Sequence, residues 1–396
     1  MNDGQAAAGL AEAGCHNCAE HLGMDNVDHI ALLVAWLAFG LAAVFGAVAH
    51  RVDFCTMGAV TDAIHVGDWR RMRMWLLAMA VAIAGVALLG STGQVDFGKT
   101  IYTGPRVAWL SSLLGGFLFG FGMTLASGCG SKNLMRLGAG NLKSLVVLIV
   151  LAISAYMTLK GLFAVWRVSA LDPVRFDTSA IGASHSDLAT VVAALVGDSS
   201  LVRSGLPLAV AVALAAFALA SRDFRAARTM IVGGLVIGAV IVGGWYVSGH
   251  LGYVAEDPRT LEEAFVATNS GRAESFSFVA PNAYLLELLM LWSDQSRILT
   301  FGIAGVLGTV AGSAAMALVT RTFRWEGFAS TEDLVNHIAG GMLMGFGGVT
   351  ALGCTIGQGL SGISTLALGS VLALLAIVGG CAAALKYQYW RVEAGS

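Results

Sequence analysis

Six cysteines fall into three settings in this chain. Cys15 and Cys18 sit in a polar tail as CHNC beside His16 and His21, a spacing that admits a metal or a disulfide, although one CxxC without a second pair specifies neither. Cys381, between Gly380 and Ala382 in an apolar run, reads as a small packing residue. Cys55, Cys129 and Cys354 share a context: each precedes a short glycine-rich segment, and the next residues are Thr56, Gly130-Ser131 and Thr355. Such residues can open a half-helix whose unpaired N–H groups point back at the sulfur, and a helix N-terminus attracts anions. A thiol is a weak donor and a soft acceptor. A row of neutral thiols therefore suits a polarizable, sulfur-terminated anion better than sulfate or phosphate, whose hydration would have to be replaced by Arg, Lys or many strong donors. Loose contacts of this kind favour conduction, which requires release as well as entry.

Two of these cysteines belong to an internal repeat. Gly115–Gly130 reads GGFLFGFGMTLASGCG and Gly340–Thr355 reads GGMLMGFGGVTALGCT, an offset of 225 with nine of sixteen positions identical, including Gly128-Cys129 and Gly353-Cys354. The candidate site is thus Cys55, Cys129 and Cys354, with Gly128, Gly130, Ser131, Lys132, Gly353, Thr355 and Gln358 around them. Lys132, Arg136 and Lys143 either raise the potential for anions at the inner mouth or are ordinary cytoplasmic charges. Gln358 can donate into a pore or cap a helix. His50, His65, His250 and His337 fall near predicted span ends, where interfacial packing is the default reading.

The elements that must position these residues are membrane helices. Of 396 residues, 57% are hydrophobic and 12% charged, with a mean hydropathy of +0.75, whereas a water-facing globular chain carries about 25% charged residues. A formal net charge of −2 argues against nucleic-acid binding through a basic face, and the composition excludes intrinsic disorder. The expected fold is an all-α polytopic membrane protein of about nine transmembrane helices. They are placed at residues 28–49, 74–92, 107–127, 144–165, 206–221, 229–248, 297–319, 333–352 and 363–385, each near the length that about 30 Å of hydrocarbon requires. Residues 54–66, 129–142 and 354–362 are too short to span and read as re-entrant half-helices, since irregular backbone at membrane depth must line a cavity or be buried in protein. Stretches 166–205 and 249–296 are polar and read as external caps.

Residues 1–27 form an acidic tail, with Asp3, Glu12, Glu20 and Asp25 and no Lys or Arg, unlike the positive start of a cleavable signal. With the tail outside, the inward connections hold Arg51, Arg70, Arg71, Arg73, Lys132, Arg136, Lys143, Arg222, Arg225, Arg228, Arg321, Arg324, Lys386 and Arg391, fourteen of the 23 cations. That bias places the N-terminus in the periplasm and the C-terminus in the cytoplasm. The two GC motifs then run in opposite directions, in halves at residues 28–228 and 229–396. Inverted repeats in transporters put the working site near the midplane, where discontinuous helices meet.

HRVDFCTMGAVTDA (50–63), GDWRRMRMW (67–75), FGFGMTLASGCGSKNLMRLGAGNLKSL (119–145) and WEGFASTEDLVNHIAGGMLMGFGGVTALGCTIGQGLSGIS (325–364) closely resemble the YeeE/YedE family and its sulphur-transport domain, from about residue 30 to 390. The resemblance implies a bacterial inner-membrane protein of hourglass shape that passes thiosulfate along three essential cysteines by transient S–H contacts. By motif those are Cys55, Cys129 and Cys354. It also implies a small cytoplasmic partner similar to the TusA sulfur carrier. The 29-residue tail departs from the pattern, and no carrier domain is fused to the chain. Family members are linked to selenium and other sulfur species as well. Active transport is expected to draw on gradients or on downstream consumption. No cofactor or resident metal is expected, and the protein is not expected to be an enzyme. Two rival readings use the same thiols: a membrane sulfurtransferase or redox protein working through persulfides, and a soft-metal path for Cu(I) or zinc. Persulfide chemistry usually needs an adjacent base, and none flanks Cys129 or Cys354 in sequence.

Overall fold

The computed structural model describes residues 3–197, 200–294 and 298–394, with only the backbone of residues 3–25, 200, 201 and 392. The tail thiols Cys15 and Cys18, with His16 and His21, therefore have side chains outside the described residues. Their backbone continues the first span as one 49-residue helix, α1 (Asp3–Arg51).

Fourteen further helices follow: α2 (Thr56–Thr61), α3 (Arg70–Ser91), α4 (Trp109–Leu125), α5 (Gly130–Gly138), α6 (Leu142–Lys160), α7 (Leu162–Trp166), α8 (Leu188–Val196), α9 (Ser200–Leu219), α10 (Arg222–Ala226), α11 (Arg228–Tyr246), α12 (Ala280–Met290), α13 (Phe301–Val319), α14 (Thr331–Thr350) and α15 (Leu368–Ala394). A half-helix at residues 355–364, widened into a π turn over Gly357–Gly362, lies before α15. The only strands among the described residues are two short antiparallel pairs in loops: Arg106–Val107 with Phe176–Asp177, and Tyr253–Val254 with Ala264–Phe265. Among the described residues, eight of the helical segments are long and apolar enough to cross a membrane, so the chain is a multi-pass membrane protein. The expected span at 333–352 is α14, whose hydropathy is lowered by Glu332 and Asp333 in its first turn and by its glycines. Bulky apolar side chains such as Trp36, Val212 and Leu375 point outward, as a lipid-facing surface requires.

Two faces follow from the loop contacts. On one, Lys99 pairs with Glu263, Lys160 with Glu287 and Arg259 with Asp28. On the other, Lys143 pairs with Asp333 (2.7 Å), Arg391 with Glu332 (2.6 Å), and His50 meets Thr322 (3.2 Å). The fourteen cations read as inward lie on elements that end at this second face, hereafter the arginine face.

The packing repeats itself under exchange of α1 with α11, α2 with α12, α3 with α13, α4 with α14, α5 with the 355–364 half-helix, and α6 with α15. Thus α1 packs on α13 as α11 packs on α3, α4 on α15 as α14 on α6, and α6 on α12 as α15 on α2. The α4–α14 contact maps onto itself. A Cβ on Gly115 would strike the Gly347 carbonyl and one on Gly122 the Gly340 carbonyl, and each contact is reciprocated. These pairs share a constant residue sum, which requires antiparallel helices. Gly115 also corresponds to Gly340 and Gly122 to Gly347 under the 225 offset, which requires a two-fold relation. The duplicated motif is therefore inverted.

Candidate functional site

Each cysteine of the trio stands where a helix is broken, and the three breaks have one geometry. Asp53, Ser127 and Leu352 take left-handed backbone at φ 52°, 55° and 58°. The following N–H turns back to a carbonyl five residues earlier: Phe54 to Ala49 (2.9 Å), Gly128 to Met123 (2.8 Å) and Gly353 to Gly348 (2.7 Å). That is a Schellman termination. The next residue is the cysteine, extended (Cys55 at φ −149°, ψ 124°; Cys129 at φ −73°, ψ 175°), and it N-caps the following half-helix. Non-glycine residues at positive φ cost about 1–3 kcal/mol when nothing else holds them. Leu352→Gly is accordingly expected to raise thermal stability by up to about 1 kcal/mol, read as the melting midpoint of the purified protein in detergent.

Two of the thiols cap as serines do elsewhere. Gly58 N–H donates to Cys55 Sγ (3.4 Å) and Gly357 N–H to Cys354 Sγ (3.4 Å). Accepting an N–H leaves each S–H free to donate. Cys129 Sγ lies 3.2 Å from Ser131 Oγ. All three are buried. Cys129 is within electrostatic reach of both others, and Tyr102, from the loop opposite the arginine face, is within reach of Cys354. The fourth break of the pseudo-symmetric set, before α12, lies beside the Cys354 sulfur at Phe278 but has Val279 at the cap and no thiol.

Other expected site residues find specific places. Lys132 pairs with Asp53 rather than standing as a free charge; Arg136 Nη1 donates to the Ser127 carbonyl (2.7 Å). Gln358 Nε2 donates to the Ala351 carbonyl, which is a capping use, while its Oε1 has no hydrogen-bond partner in the protein. Gly130, next to Cys129, and Gly353, next to Cys354, are the helix-opening and helix-ending glycines of the two copies. Thr355 is fully buried, and its hydroxyl, like that of Thr56, has no protein partner. Of the histidines, buried His337 bonds the Asp333 carbonyl and edges onto Phe328, and His250 contacts the Gln94 carbonyl and stacks on Tyr246. Cys381 is buried and accepts from Thr124 Oγ1 (3.3 Å).

Two residues escaped the sequence reading. Asn133 is Gln358 displaced by 225: both carboxamides donate to carbonyls of their own break, Asn133 to Gly128 (2.9 Å) and Cys129 (3.1 Å), and both keep an unpartnered buried oxygen. Extending the repeat beyond position 130 would have found it. Asp53 stands two residues before Cys55, as Ser127 does before Cys129, and only the common break reveals that match.

Cavities approach the trio from both faces. One of about 180 Å³, lined by Tyr102, Glu274, Tyr284, Leu352 and Gly353, and one of about 250 Å³, lined by Arg106, Arg167, Arg175, Gln358 and Ser370, meet at the Leu352 break. On the arginine face a cavity of about 450 Å³ reaches the equivalent Ser127 break, with Arg136, Lys143 and Arg324 in its wall. No group of three or more His, Cys, Asp or Glu side chains among the described residues is placed to hold a metal ion.

Residues 51–383 match the model of the sulphur transport family. The chain is similar to the thiosulfate transporter TsuA of Escherichia coli strain K12, 26% identical over 331 residues that cover 80% of this chain and 84% of that protein. It is also similar to the thiosulfate transporter TsuA of Spirochaeta thermophila, 24% identical over 348 residues that cover 87% of this chain and 96% of that one.

Proposed function

The chain belongs to the sulphur transport family, and from that premise we propose that it carries thiosulfate, or a closely related small sulfur anion, across a bacterial inner membrane. The observation that supports this most is that Cys55, Cys129 and Cys354 are all buried at the starts of half-helices, with Cys129 within electrostatic reach of the other two. In this reading the anion is handed from Cys354 to Cys129 to Cys55 without covalent chemistry, so the protein is a transporter and not an enzyme. The sulfane sulfur meets S–H groups, and the oxygens meet the Thr355 and Thr56 hydroxyls that have no partner within the protein. Unpaired buried donors are costly unless something uses them. Cys55, Cys129 and Cys354 with Gly128, Gly130, Ser131, Lys132, Gly353, Thr355 and Gln358 form the substrate path. Halves at 28–228 and 229–396 flank it, behind an acidic periplasmic tail at 1–27.

The arginine face is the cytoplasmic one, on the charge bias of its loops, which puts the N-terminus in the periplasm and the C-terminus inside. A TusA-like sulfur carrier on that side helps use the imported sulfur. Radiolabelled uptake into liposomes tests the substrate: unlabelled thiosulfate should compete fully and sulfate poorly. Equal competition by sulfate contradicts the soft-anion reading.

Glu274 gives the entry step a pH dependence. It lies in the loop before α12, in the wall of the outer cavity, and burial raises its carboxyl to about 7 against the lowering hydrogen bonds from Ser270 and Asn269. Below pH 7 it is neutral; above, it is an anion facing an anion. Uptake should fall as external pH rises through about 7, and Glu274→Gln should flatten the profile. An unchanged slope in that variant removes Glu274 from the entry path.

A further inference from the structure

We propose that the Lys132–Asp53 ion pair is an internal latch on the path, opened when a dianionic solute displaces the Asp53 carboxylate from Lys132. This rests on the transport reading above and adds to it the residues that control the inner end.

The pair joins two of the three breaks. Lys132 lies three residues beyond Cys129 in α5, and Asp53 two residues before Cys55 between α1 and α2. Both are within electrostatic reach of the Cys55 sulfur. The lysine side chain is only 14% exposed. Its stem runs across Gly128, where a Cβ would come within 2.9 Å of the Lys132 Cγ. The glycine of the duplicated GC motif thus has a second use, as the groove that directs this lysine. At the corresponding place in the other copy stands Gly357, so the latch exists at one end only.

Asp53 has a second partner. Arg71, from α3, holds its other oxygen at 2.7 Å and reaches Asp62 at 3.3 Å. That second arm matters because a partly buried carboxylate stripped of its only cation is costly. When Lys132 turns to a passing anion, Asp53 stays paired to Arg71. A dianion offers Lys132 more charge than a carboxylate does, while a monoanion offers no more. The latch therefore selects for charge as the thiols select for softness. His50 and Arg136 are the other charged or titratable groups whose fields reach the pair.

The test compares full-length wild type and Asp53→Asn in liposomes, with two readouts. In the first, initial rates of labelled thiosulfate uptake are measured against concentration. Asp53→Asn leaves Lys132 without a rival, so the half-saturating concentration should fall about fivefold, the scale of one partly screened charge pair, and the maximal rate should fall with it because release is slower. In the second, Cys55 labelling by a small charged methanethiosulfonate added from the arginine face is followed by peptide mass spectrometry, without thiosulfate. Labelling should be several-fold faster in Asp53→Asn. Equal labelling rates in the two proteins overturn the latch even if wild type carries no thiosulfate, an outcome that would separately overturn the transport reading. A lowered maximal rate with an unchanged half-saturating concentration would also overturn it, since a merely structural contact behaves that way. Should Asp53→Asn fail to insert, Asp53→Glu displaces the same carboxylate and is read by the same labelling.

Discussion

Replacing Cys129 with alanine is expected to lower thiosulfate uptake by about 10- to 100-fold, the cost of one hydrogen bond to a charged group in a site without water, while the protein remains folded. Cys129 is the member of the trio within reach of both others, so its loss opens the widest gap in the row. Cys354→Ala should act in the same direction. The control is Cys381→Ala. That thiol is as buried as Cys129 and belongs to the same apolar core, but it lies inside α15 and accepts from Thr124 instead of standing at a helix N-terminus. Both substitutions remove one sulfur from a packed interior and should cost similar stability, about 1–2 kcal/mol. Only the first should cost transport. Growth on thiosulfate as sole sulfur source in an uptake-deficient host, with membrane protein quantified, separates the two effects.

The second large effect concerns the helices that hold the breaks in place. Gly340→Leu is expected to abolish recovery of monodisperse protein. At the α4–α14 contact a Cβ on Gly340 would lie 2.6 Å from the Gly122 carbonyl oxygen and one on Gly122 would lie 2.8 Å from the Gly340 oxygen; the Gly115–Gly347 pair is equally tight at 2.7 and 2.6 Å. These are backbone atoms on both sides, so no side chain can swing away. Even Gly340→Ala should cost about 1–3 kcal/mol as an overpacked interior does. Small residues at such crossings are how membrane helices approach closely. Gly379→Ala, in α15, is the matched control: nothing lies within 4 Å of its added methyl. Size-exclusion profiles in detergent, compared at equal expression, check the pair of variants.

Much of this was legible before any coordinates. The GC motif recurs at 225 residues because both copies must end a helix on glycine-rich contacts and restart it at a cysteine, so the same residues are needed twice. Cys55 lacked a duplicate in sequence and joined the trio through its context and its family motif; the backbone adds that Asp53, Ser127 and Leu352, which share no side-chain chemistry, adopt one left-handed turn. Sequence periodicity reports which residue type is favoured, whereas here tertiary packing imposes the conformation on three unlike residues. The span count was affected by the same glycines, since α14 is a full-length helix whose composition falls short of an apolar span. Charge pairing was the least legible layer. Lys132 read as a free cation near the thiols, but its partner Asp53 lies 79 residues away, and nothing in local spacing joins them.

Persulfide transfer remains the rival that uses the same atoms. In that chemistry a cysteine thiolate takes the sulfane sulfur, sulfite departs, and only one of the two sulfur atoms goes forward. Handing the intact anion from thiol to thiol moves both. The most direct measurement therefore uses the purified protein in liposomes with thiosulfate labelled distinguishably at its sulfane and sulfonate sulfurs. Equal accumulation of the two labels inside, abolished together in Cys129→Ala, is the predicted result. Sulfane label alone, retained on the protein or delivered without its sulfonate partner, would contradict it.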